Sequence, residues 1–141
     1  MNRMWIAAIV MVFCAAAVAA PLALQTPPTR ERTAEGARLF IANCASCHGT
    51  SGQGNGPLTG LLRNKPADLT QIAIMNGGMF PTARVHRIID GRDVGSHGAP
   101  EMPVWGEAFR TAPGGFSEES VRQRIAALVE YLESIQRRLA H

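Results

Sequence analysis

The sequence predicts one all-α domain built from several short helices, and three observations carry that reading. No stretch of any length alternates apolar and polar residues as a half-buried strand does. Near the C-terminus Val121, Ile125, Leu128, Val129, Leu132 and Ile135 recur at helical spacing, with Arg122, Glu133 and Arg137 on the opposite face. Fourteen glycines and nine prolines divide the rest into short pieces joined by loops. A chain of 141 residues, less an N-terminal segment, has room for one domain.

Composition narrows the function classes. A hydrophobic content of 46% supports an ordinary core, although part of it lies in the N-terminal segment. The formal charge is +3, falling to +2 without Arg3, and no stripe of lysine and arginine runs along any element. That excludes nucleic-acid binding as a main activity and leaves a weak preference for an acidic protein surface. Three cysteines are too few for a disulfide framework.

Residues 1–24 read as an export signal. Asn2 and Arg3 form a short polar head, an apolar stretch follows from Met4 to Phe13, and Ala17-Val18-Ala19 has the form of a cleavage site. Cutting after Ala19 avoids placing Pro21 directly behind the scissile bond. The alternative is an uncleaved anchor, because Met4 to Leu24 is long and apolar enough to span a bilayer. Cys14 follows the bulky Phe13, which argues against a lipoprotein and for a thiol lost with the leader. Residues 25–32, with Pro27-Pro28, read as an extended linker. The domain proper is then 33–141.

Thr33 is the expected N-cap of the first helix, with Glu35 in its first turn, where the helix dipole favours an anion. That helix runs from Ala34 to about Asn43 and aligns Gly36, Leu39 and Phe40 on one face. Gly36 costs up to about 1 kcal/mol there relative to alanine, which predicts another helix crossing closely over it. The helix delivers Cys44-Ala45-Ser46-Cys47-His48. Two cysteines three apart, followed directly by histidine, form the attachment signature of c-type haem. On one helical turn residues i and i+3 face the same way, so both sulfurs reach one edge of a porphyrin and His48 lies under the iron. A zinc site would need a second ligand pair, and a thioredoxin-like disulfide would need a βαβ context; neither is present. The glycine- and proline-rich loops suit a fold wrapped around a large cofactor.

Gly49 to Leu61 is too rich in glycine for a regular element and reads as a loop folded against the proximal haem face. Its likeness to a phosphate-binding loop is superficial, since no strand precedes it and Lys65 is not followed by Ser or Thr. Two short helices come next. One spans Leu69 to Asn76 and stops at Gly77-Gly78; the other opens at Pro81 or Thr82, presents Val85, Ile88 and Ile89, and ends at Gly91. His86 falls away from the apolar set and reads as solvated. Met75 and Met79 read as core or haem-edge packing rather than ligands. Beyond an irregular loop, Met102 is the expected sixth ligand: a thioether suits haem iron, and Pro103 stiffens its loop. A buried core methionine is the rival reading of Met102, and His97 the rival ligand. Trp105 can pack on the ring and direct its N–H to a propionate. Ser117 caps the last helix, Glu118 and Glu119 complement its dipole, and Phe116 staples onto Val121. Tyr131 is expected to meet Gly36 and Phe40.

With these features in place, Gly36…Phe40, Cys44-Ala45-Ser46-Cys47-His48-Gly49, Gly56-Pro57-Leu58, Met102-Pro103 and Leu128…Tyr131-Leu132, the chain resembles a class I monohaem c-type cytochrome over about residues 33–136. The resemblance implies short helices around one covalently bound haem c, with the first and last helices crossing. It implies Cys44 and Cys47 as attachment points, His48 and Met102 as axial ligands, and Phe40 and Trp105 as pocket residues. It also implies that the Pro57 carbonyl accepts the second N–H of His48. The function expected is electron transfer rather than catalysis, in the periplasm or anchored to the inner membrane facing it. The expected donor is a dehydrogenase or quinol-oxidising complex, and the acceptor a terminal oxidase or reductase of a respiratory chain. The expected protein is a monomer that touches the membrane only through its N-terminal segment. Alternatives are a haem subunit of a larger oxidoreductase, or a five-coordinate protein reactive toward gases or peroxide.

Overall fold

In a computed structural model the structure is described for residues 29–93 and 102–137. The expected leader and His97 lie outside those residues. Among the described residues there are six α-helices and no strand: α1 (Thr29–Asn43), α2 (Ala45–His48), α3 (Ile72–Met75), α4 (Thr82–Asp90), α5 (Trp105–Thr111) and α6 (Glu118–Ser134). No helix among them is long and apolar enough to cross a membrane.

The core is the crossing of α1 and α6. Phe40, Val121 and Ile125 are fully buried, and Leu128, Val129 and Leu132 nearly so. Gly36 makes the crossing possible: a Cβ there would overlap the Ala127 carbonyl and stand 2.9 Å from Tyr131 Cβ. The Tyr131 ring lies over Phe40 at 5.2 Å between centroids, the meeting expected from the sequence. Arg32 pairs with Glu130 across the same crossing.

That pair accompanies a correction at the start of α1. The helix begins at Thr29, so 29–32 is helical rather than extended linker, and Thr33 is inside it, its hydroxyl donating to the Thr29 carbonyl at 2.8 Å. The expected signal was local; the extra turn instead carries Arg32 to a distant carboxylate. The start of α6 follows expectation, with the Ser117 hydroxyl accepting from the Ser120 N–H at 3.2 Å. The ring of Phe116 is covered by the Arg124 guanidinium at 3.8 Å.

The Leu69-to-Asn76 segment is a 3-10 turn (Leu69–Gln71) running into α3. Gln136 and Arg137, just beyond α6, hold it to that helix, Arg137 by donating its N–H to the Thr70 carbonyl at 2.8 Å. The Gln136 carboxamide accepts from the Ala73 N–H (2.8 Å) and donates to the Leu69 and Leu132 carbonyls (2.7 Å each). Helix α5 has no counterpart in the sequence reading. It is short, Val104 offers no capping side chain, and Gly106 breaks its propensity. Met79 is another correction: it is 73% exposed and outside the core.

Candidate functional site

The site begins with the turn that α1 delivers. Cys47 and His48 donate their N–H groups to the Cys44 carbonyl (3.2 and 2.9 Å), closing α2 as a single turn with Cys44 at its cap. A short helix leaves its last carbonyls without partners, and the glycine loop supplies them. Gly54 donates to His48, Gly56 to Cys47 and Leu58 to Ser46, at 2.8 to 3.1 Å. The Thr59 hydroxyl adds a bond to the Cys47 carbonyl at 3.1 Å. Only glycine fits at 56, because a Cβ would run into the backbone of Ala45, Ser46 and Cys47. The loop is therefore a brace around the cysteine turn.

A cavity of about 640 Å³ opens beside this turn, within the range of about 300–1,000 Å³ typical of small-molecule and cofactor sites. Cys44, Cys47 and His48 line it on one stretch of chain, Phe40 and Leu128 reach it from the core, and Met102 and Trp105 from the segment leading into α5. Six of the seven residues expected at the site thus share one cavity. Phe40 is fully buried; the other five are half-buried. Trp105 is backed by Phe109, with ring centroids 5.6 Å apart. Met75 also lines the cavity, 82% exposed, so it belongs to the rim.

Pro57 is the seventh, and it is a correction. It is exposed and outside the cavity lining. The His48 Nδ1 instead lies 3.1 Å from the Ala67 carbonyl oxygen. A carbonyl only accepts, so Nδ1 carries the proton and Nε2 keeps its lone pair for a metal. Gly56-Pro57 is committed to bracing the cysteine turn, and the segment after Pro66 supplies the histidine's partner. A backbone acceptor leaves no mark in sequence beyond Lys65-Pro66 just before it.

Electrostatics suit the same chemistry. Burial lowers the His48 pKa, partly offset by the Ala67 hydrogen bond, which keeps the imidazole neutral and able to ligate. Burial pushes the Cys44 thiol up to about 12, with the neighbouring Cys47 adding to the effect. It therefore stays a protonated, apolar-walled thiol rather than a free thiolate. Among the described residues no three His, Cys, Asp or Glu side chains converge as a bare-ion site. Two thiols at one edge, a neutral imidazole and a thioether in a large apolar cavity fit a porphyrin with a soft axial pair.

Searches for similar curated proteins and similar solved structures returned no match. The model of the family described as Cytochrome c matches residues 33–136. That match covers most of the sequence and contains the whole cavity wall, so this chain belongs to the cytochrome c family, whose members carry covalently attached haem c and transfer electrons through it.

Proposed function

We propose that this protein is an exported one-electron carrier with Cys44 and Cys47 as its thioether points and His48 and Met102 as its axial pair. The observation that supports this most is that all four side chains line one cavity. Bound haem iron supplies a single-electron couple between its ferrous and ferric states. The chain's own residues do the rest. Ala67 holds His48 in the tautomer that leaves Nε2 free, and burial keeps the ring neutral. Met102 offers a thioether, which favours the reduced state relative to a nitrogen or thiolate donor. Phe40, Val85, Ile88 and Leu128 turn apolar surface to the cavity and exclude water. With His48 and Met102 both bound to the iron, no position would be left for a substrate, so the role would be transfer rather than catalysis. The residue-level reading of 1–24 as a leader puts the protein in the periplasm, or facing it from the inner membrane. Its donor there is a dehydrogenase or quinol-oxidising complex and its acceptor a respiratory oxidase or reductase.

The test is the optical spectrum of the oxidised holoprotein beside that of Met102→Ala. A weak near-infrared sulfur-to-iron band in the parent, lost in the variant, is the expected result. A high-spin parent that takes up small ligands as readily as the variant would overturn the carrier reading.

A further inference from the structure

Three charged residues, two from the end of α4 and one from the start of α6, meet beside Gly106 of α5, just after the segment that carries Met102. Arg92 lies just past the end of α4. Its Nε and Nη2 donate to the two oxygens of Asp90, the last residue of α4, at 2.7 and 2.9 Å. Its Nη1 donates to both oxygens of Glu118, the first residue of α6, at 2.9 and 2.8 Å. Exposed ion pairs contribute little, but two-pronged charge-assisted pairs with restricted exposure are the exception. Here the Arg92 and Asp90 side chains are only 27% and 15% exposed, while Glu118 is 51% exposed, so the Asp90 pair is the stronger half of the cluster.

Helix α5 rests on this cluster through Gly106. A Cβ at 106 would overlap Asp90 Oδ1 and crowd Arg92 Nε. Arg92 and Gly106 are thus neighbours in space, and Met102 lies on the covalent path between them. Chain ends pinned at one point raise the effective concentration of whatever the intervening chain carries, and a looser neck lowers it. The ion pair within α5, Glu107 with Arg110, is exposed and local to the helix; its charges feel Arg92 and Glu118 but make no hydrogen bond to them.

We propose that Asp90, Arg92 and Glu118, seated against Gly106, are positioning residues that hold Met102 at its axial post. This rests on Met102 being the sixth ligand. Arg92 suits the task because its planar fork satisfies two carboxylates at once, which a lysine ammonium does not reproduce.

The experiment measures imidazole affinity and the near-infrared band of the oxidised holoprotein, well below its melting temperature. The variants are Arg92→Lys, Gly106→Ala and Glu130→Gln, the last breaking the part-buried pair with Arg32 across α1 and α6. Imidazole must displace the axial methionine, so a weaker neck appears as tighter imidazole binding. Arg92→Lys is expected to bind imidazole roughly ten-fold tighter, the size of effect that follows losing charge-assisted hydrogen bonds, with a weakened band. Gly106→Ala is expected to do the same, and Glu130→Gln to match the parent. In a Met102→Ala background the Arg92→Lys effect should vanish, as a coupling that acts through Met102 requires. Parent-like affinity in Arg92→Lys, an equal gain in Glu130→Gln, or an effect that survives in the Met102→Ala background overturns the proposal. If parent and Met102→Ala bind imidazole equally and neither shows the band, the ligand assignment itself fails, and the proposal with it.

Discussion

Asp68 uses both carboxylate oxygens on the chain just after it. Oδ1 accepts from the Thr70 N–H and hydroxyl at 3.0 and 2.5 Å, and Oδ2 from the Gln71 amide at 2.6 Å. The Thr70 hydroxyl is the main reason its carboxyl is held below the usual carboxylate range. The contribution is therefore complete above the ordinary value, near pH 4, and is lost as pH falls through the lower folded-state value. Asp68→Ala should cost about 1 kcal/mol at pH 7, the usual size of a lost cap. Denaturant titrations at pH 7 and at pH 3 check this: the gap between parent and variant should narrow at the lower pH. At this scale the sequence was legible where a side chain acts by itself. The order Cys44, Cys47, His48 spells its chemistry, and Ser117 announces a helix. Where a backbone atom acts the sequence is silent: the resemblance implies the Pro57 carbonyl as the acceptor for His48, and the structure has Ala67 there.

Among the elements, α1 and α6 were legible because each carries a periodic apolar face, and Gly36 marked their crossing. Two opposing effects meet at Gly36→Ala. Helix propensity favours alanine by up to about 1 kcal/mol, while overpacking costs about 1–3 kcal/mol. The atom in the way is a main-chain oxygen of α6, which cannot swing aside, so the steric cost wins and the variant should melt lower. A thermal melt of the holoprotein measures it, and an unchanged or raised midpoint would show that the helices can slide apart. Helix α5 is illegible in the sequence for the opposite reason. Its position is fixed by partners distant in sequence, the Asp90–Arg92 cluster under Gly106, and not by a cap or a long periodic face. The early start of α1 has the same origin, a partner for Arg32 on α6.

The molecule as a whole is a thin helical shell around its cofactor cavity. A cavity of about 640 Å³ is far larger than the voids of a close-packed interior, and the apolar side chains that wall it, Phe40, Val85, Ile88 and Leu128 among them, lose their packing partners when it is unfilled. The cofactor is therefore structural as well as functional. The double variant C44S/C47S, made without attached haem, should lose its cooperative melt and much of its helicity by far-ultraviolet circular dichroism. A cooperative melt near that of the holoprotein would show that the shell closes without the cofactor.

The α1–α6 crossing also sets an order of events. Gly36 and Phe40 precede the cysteine turn, whereas Ala127, Leu128 and Tyr131, which cover them, come far behind it. A chain emerging from the ribosome N-terminus first presents Cys44, Cys47 and His48 long before the helix that packs over Gly36 and Phe40 has been synthesised. The thiols are open to modification throughout that interval, and α6, the last of the described helices in chain order, completes the core behind them only afterwards.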